Sequence, residues 1–142
     1  MTVLDLSPEA LCDRLSAAEP RVWADEHRVD AEQAHAYAAL HDARNVPPGY
    51  AAAGFGAALT MRTVLVVLHD EELALPFDRN VHAAQQLDWH AGLRLGARLT
   101  TTARVRAVRL KERAVFFDIV TRTHEGDRLV MAGTATQAVR HG

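Results

Sequence analysis

The chain has 142 residues, of which 49% are hydrophobic and 24% charged, and its net charge is −2 at pH 7. This suits one globular domain with one core and leaves no global drive toward nucleic acid or anionic membrane. A single cysteine, Cys12, excludes an internal disulfide and a cysteine zinc cluster.

The opening MTVLDLSPEALCDRL carries acids early and has no long apolar core, so it does not read as a signal peptide. Ser7, Pro8 and Glu9 start a helix, with a side-chain cap followed by proline where no N–H is needed. The helix runs to about Ala17 and is ended by Pro20. A short extended piece over residues 22–29 follows. Asp30 opens a second helix, with Gln33 at capping-box spacing. Ala34, Tyr37, Ala38 and Leu40 give that helix a small apolar face, and it stops near His41. Asn45, Pro47, Pro48 and Gly49 form a loop. Gly54, Phe55 and Gly56 then lead into AALTMRTVLVVL, residues 57–68, which is apolar nearly all round. Its valines fit a buried strand as well as a buried helix, because periodicity does not separate the two in so short a run. It is too short to span a bilayer and contains Thr60, Arg62 and Thr63, so a cytoplasmic protein is expected.

Residues 73–80 form a connector broken by Pro76. After it, residues 81–90, 97–110, 114–123 and 128–140 read as strands, rich in Val, Thr and Phe and partly alternating. The turn signals are at residues 110–113 and 124–127, where Gly126 makes the second the stronger. Short turns between consecutive strands imply antiparallel pairing. Helices in the first half and an antiparallel sheet in the second make the expected class α+β, and if residues 57–68 are a helix, an antiparallel sheet wrapped around that long apolar helix is the economical way to bury it. Residues 1–142 are expected to form a single domain, with residues 1–21 as an N-terminal helical extension.

Three stretches carry a family resemblance: RVDAEQAHAYAALHDARN, GFGAALTMRTVLVVL and NVHAAQQLDWHAGLRLGARLTTTARVRAV. Together with the final hairpin and its Glu125-Gly126-Asp127 turn, they resemble the MaoC-like dehydratases, from about Val22 to Arg140. The closer likeness is to the N-terminal-half type, the subunit that holds the acyl chain in two-subunit bacterial enzymes. Where such families have an aromatic-His pair, a Pro-Leu-like step and Gly-Asp-x-Leu, this sequence has Trp89-His90, Leu93 and Gly96-Ala97-Arg98-Leu99. The resemblance implies the hot-dog fold, makes residues 57–68 the central helix, and implies dimers formed through the sheets. It also implies dehydration or hydration of 3-hydroxyacyl and 2-enoyl thioesters on coenzyme A or an acyl carrier protein. One departure stands out. Catalytic members carry Asp-x-Asn-Pro-x-His after the first long helix, whereas this chain reads Asp42-Ala43-Arg44-Asn45-Val46-Pro47-Pro48.

Such a reaction needs a base for the proton alpha to the carbonyl, an acid for the departing hydroxyl, and donors for the thioester oxygen. His90, at a strand end before a loop, and His41 with Asp42, nearest the family motif, are the candidate catalytic residues. A structural hydrogen bond for His90 and helix capping for His41 and Asp42 are the plain alternatives. His82 lies on the same strand as His90 and, by parity, on the same face. Gly54, Phe55 and Gly56 suit an oxygen-binding helix start, although their glycines would serve close packing as well. Tyr50, Phe55, Leu59 and Met61 are candidates to line an acyl tunnel, with a core role favoured for Leu59 and Met61. Trp89, Arg94 and Arg98 complete the candidate binding set. Arg94, Arg98, Arg104, Arg106 and Arg109 form a basic run suited to an acidic carrier or a phosphate, and equally to a solvated sheet face. No His and acidic residues have metal spacing, and no cofactor is expected. The partners expected are an acyl thioester and a second hot-dog chain in a homodimer or heterodimer. A noncatalytic acyl-binding subunit and a thioesterase or tailoring enzyme are the alternatives.

Overall fold

Ser7 caps the first helix, α1 (Pro8–Ala17), by accepting the Ala10 N–H at 3.2 Å. The computed structural model describes residues 7–140. Residues 1–6 of the expected extension, and His141, lie outside the described residues. Leu11 and Leu15 turn one side of α1 into the core. After the strand β1 (Trp23–Arg28), Asp30 caps α2 (Ala31–Leu40) through the Gln33 N–H at 2.8 Å. The central helix α3 (Ala53–Leu68) follows, so the ambiguous apolar run is a helix. A short 3-10 turn (Phe77–Arg79) leads into β2 (Asn80–Trp89), β3 (Arg98–Lys111), β4 (Ala114–Glu125) and β5 (Arg128–Arg140).

The five strands form one antiparallel sheet in the order β1-β3-β4-β5-β2. Tight turns join β3, β4 and β5 in sequence, and Gly126 supplies the positive φ (60°) of the second turn cheaply. β2 does not pair with the next strand in sequence. Its chain leaves through residues 90–97, and β3 lies on the opposite side of the hairpin pair.

The alternation of β3 and β4 buries Leu99, Thr101, Ala103 and Val105, and Val115, Phe117, Ile119, Thr121 and Thr123. That face wraps α3. The helix buries Phe55, Gly56, Leu59, Thr60, Thr63, Val64, Val67 and Leu68, an i, i+3, i+4 stripe. Its other side is exposed, with Leu65 at 38% and Val66 at 44%. Although nearly all apolar, α3 is thus half covered within this chain. One core cluster joins α1, the second half of α3 and the middle of the sheet. Another, at the start of α3, gathers Val29, Ala34, Phe55, Leu59, Leu93, Leu99 and Val130.

Two clamps fix the edges. Asp70, just past α3, accepts from Arg21 at 2.6 Å, from the Trp23 indole at 3.0 Å and from the Glu72 N–H at 2.9 Å. Burial pushes its carboxyl up, but these donors outweigh burial and hold its pKa at about 2. At the other end, Glu125 in the β4–β5 turn pairs with Arg94 and Arg128. Among the described residues no helix is long and apolar enough to cross a membrane.

Candidate functional site

The start of α3 opens onto a cleft of about 730 Å³, lined by residues 43–47, residues 50–54, Trp89 and residues 91–93. Its walls are set by backbone pairing. Ala51 N–H donates to Leu93 O at 2.8 Å and Leu95 N–H to Gly49 O at 2.9 Å, with Tyr50 and Arg94 as the bridged pair between them. A short two-stranded ribbon therefore forms one side. The Tyr50 ring lies over Gly92, where an added Cβ would come within 2.8 Å of it. The Arg94–Glu125 ion pair ties this ribbon to the sheet, and Arg94 lowers the Glu125 pKa, with Arg128 assisting and burial opposing.

α3 begins at this cleft without a side-chain cap. Phe55 N–H turns back to Ala52 O at 3.0 Å. Ala53 and Gly54, the first helical residues, line the cleft, where early helix N–H groups lack intrahelical acceptors. The positive end of α3 thus faces a mostly apolar recess, an arrangement suited to an oxygen that gains negative charge.

The structure brings together part of the candidate set. Tyr50, Gly54 and Trp89 line the cleft. Phe55, Gly56 and Leu59 are buried in the core, in the first turns of the same helix. Gly54 and Gly56 are places of close approach, with the Tyr37 hydroxyl against the first and the Trp89 ring against the second. Met61 is partly buried against the larger core cluster.

The candidate acid–base residues stand outside the cleft. His41 and Asp42 terminate α2. Ala43 N–H reaches Ala38 O at 2.9 Å and Asp42 N–H reaches Ala39 O at 3.4 Å, with Asp42 left-handed at φ 48°, the pattern of a Schellman cap. The His41 ring packs against Tyr37 at 4.3 Å, and the exposed Asp42 carboxylate pairs with Arg44 at 3.2 Å. His90 is exposed just past β2, and its N–H donates to Val130 O at 2.8 Å. The parity argument for His82 fails because the register slips between His82 and Ala84. That slip puts His82 on the face of Trp89, where it bonds Gln137 at 2.7 Å.

Of the basic run, Arg94 is held by Glu125, Arg106 by Glu19 O and Val105 O, and Arg109 by Asp118 and Ala107 O. Arg98 sits directly opposite Arg28 across β1 and β3.

Sequence reasoning passed over two features. Arg44, Asn45 and Pro47 line the cleft, and the departed Asp-x-Asn-Pro-x-His segment was the signal for them. His27 on β1 is buried, with its Nε2 3.1 Å from Thr63 Oγ1 of α3 and its Nδ1 unpartnered, 3.8 Å from Asp25. Burial lowers its pKa, Asp25 opposes this and Arg62 adds to it. No signal beyond its place in a short strand marks it in the sequence. No three His, Cys, Asp or Glu side chains gather as a metal site among the described residues.

Comparison with solved structures gives the fold. HtdX of Mycobacterium tuberculosis superposes with a TM-score of 0.74 at 17% identity, over 84% of this chain and 51% of HtdX. The chain thus spans about half of that protein's length. The HadBC 3R-hydroxyacyl-ACP dehydratase complex of the same organism matches at 0.66 and 17%, over 83% of this chain and 94% of the other. The MaoC-like dehydratase of Rhodospirillum rubrum matches at 0.64 and 23%, over 86% and 92%. No curated protein sequence matches. The model of the FAS1-like, dehydratase domain region matches residues 23–132, so this hot-dog chain belongs to that MaoC-like dehydratase family.

Proposed function

We propose that this chain is the acyl-holding part of an enzyme that hydrates 2-enoyl thioesters or dehydrates 3-hydroxyacyl thioesters. The observation that carries the reading is the cleft itself. It offers an apolar recess at the uncapped start of α3, and its lining contains no His, Asp or Glu. Alpha-proton removal most often uses His, Asp or Glu within hydrogen-bond reach, and Tyr50 is the one side chain of the lining from the rarer classes of base. In this reading the base and acid come from a second hot-dog domain with the complete Asp-x-Asn-Pro-x-His segment. This chain contributes the pocket and the helix-start donors. Residues 1–142 act as one domain, with residues 1–21 as its extension, and Tyr50, Gly54 and Trp89 contact the acyl thioester.

Two surfaces support a partner. β2 is an edge strand whose residues 81–86 are exposed, and a ten-residue open edge is a template for pairing. The outward side of α3, a helix half covered within this chain, exposes Leu65 and Val66. The likeness to HadBC, itself a complex, agrees with a heterodimer. Coenzyme A and an acyl carrier protein are both suitable carriers, with Arg98 as the candidate contact to either.

The test is hydration of a 2-enoyl thioester, followed by loss of enoyl absorbance. The purified chain alone is expected to be inactive, and turnover is expected with a second hot-dog chain carrying the full motif. Turnover by the chain alone, lost in His90→Ala or Asp42→Asn, would overturn the divided site in favour of a self-sufficient enzyme. Release of free thiol without hydration would replace the reading with a thioesterase.

A further inference from the structure

We propose that Trp89, seated on the bare backbone of Gly56, is the end wall of the acyl cleft and restricts it to short acyl chains. This rests on the cleft being the acyl site. Trp89 is the last residue of β2 and pairs across the sheet with Met131, so it lies on the face that wraps α3. A Cβ on Gly56 would overlap the indole and sit 2.8 Å from its Cζ2 and 3.1 Å from Leu93 Cδ1. Only glycine lets the ring come so close to the helix. Trp89 is 37% exposed and lines the cleft, while one edge of its ring abuts α3.

Behind it there is no room for a chain. Thr60 is 2% exposed, donates to Gly56 O at 3.0 Å and lies 3.7 Å from Met131 Sδ. Met131 and Leu93 are each 1% exposed and Leu59 3%. The space between α3 and the sheet is therefore filled beyond the indole. A thioester oxygen held at Ala53 and Gly54 lies only two residues before Gly56, about 3 Å along the helix axis, or roughly two carbon–carbon bonds. An acyl chain that follows the helix meets the indole almost at once. A long chain could enter only if the ring left its seat on Gly56.

The experiment is calorimetric titration of the intact chain with butanoyl-, octanoyl- and dodecanoyl-pantetheine, the thioester unit shared by both carriers. Wild type is expected to bind the butanoyl ligand about tenfold or more tightly than the dodecanoyl one. Trp89→Ala is expected to reverse that order, since each newly buried methylene adds affinity. Trp89→Phe, which keeps an aromatic ring on the core, is expected to fall between them and serves if the alanine variant fails to fold. A flat profile in wild type, or the same profile in wild type and variants, overturns the end wall while leaving the acyl-holding role standing. Absence of binding by any thioester to any of the proteins overturns both.

Discussion

His27 is the residue whose chemistry is most constrained by its surroundings. Its imidazole is fully buried, bonded to Thr63 on one side and unpartnered on the other. Burial disfavours the imidazolium, so the folded pKa lies below the ordinary 6.5. The unfolded chain then binds more protons below pH 6.5, and stability falls as the pH drops from there toward the folded pKa. Urea unfolding at pH 7.5 and pH 5.5 is expected to show lower stability at the acid end. In His27→Gln, which keeps a donor for Thr63, that difference is expected to shrink; an unchanged difference would place its origin elsewhere. Asp70 works at lower pH. With its pKa at about 2 against the ordinary 3.8, its stabilisation is complete above about pH 4 and is lost as pH falls toward 2. Asp70→Ala removes a charged acceptor from Arg21, Trp23 and Glu72 and is expected to cost about 1.5–3 kcal/mol at pH 7, read as a drop in unfolding midpoint. His41 and Asp42 show how far residue type alone can lead. Both suit acid–base chemistry, but a Schellman cap turns their backbone into a helix stop and leaves Asp42 exposed on Arg44.

The ribbon made by residues 49–51 and 93–95 is the element on which the cleft depends. Two backbone bonds are too few to hold an isolated ribbon, and the Arg94–Glu125 pair fastens it to the β4–β5 turn. Arg94→Ala is expected to leave the sheet intact and to speed hydrogen exchange of the Ala51 and Leu95 amides about tenfold or more, as local opening becomes easier. Unchanged exchange there would mean that the ribbon is held without the ion pair, by the buried Leu93, the Gly96 N–H to Val29 O bond and Tyr50 on Gly92. Most elements were legible in the sequence. Ser7 and Asp30 announced two helices, and β-branched alternation with turn residues announced four strands. The ribbon was not, because its residues neither alternate nor form a run: two loops, some forty residues apart, meet only in the folded chain.

For the whole molecule, β2 and the outward side of α3 are the two surfaces this chain leaves uncovered among its described residues. β2 is an edge strand of ten residues, and beyond its irregularity between His82 and Ala84, residues 84–86 stay exposed and open to pairing. In the proposed pairing through β2, Ala84→Lys with Gln86→Lys is expected to blunt that edge and shift the protein to the monomer mass in light scattering, with the circular dichroism spectrum kept; a mass equal to that of wild type would overturn pairing through β2. The sequence by itself determined the order of the capped helices and the antiparallel strands, while residues 57–68 became the central helix only through the family resemblance, because periodicity leaves so short an apolar run undecided. Caps, turns and periodicity act between near neighbours, and an apolar helix has to be buried. The absence of the Asp-x-Asn-Pro-x-His segment was equally plain in the sequence. Only the tertiary structure decided the strand order that sends β2 to β5, the slip that turns His82 to the face of Trp89, and the meeting of Trp89 with Gly56. Each of these depends on contacts between segments far apart in the chain, and such contacts leave no periodic trace along it.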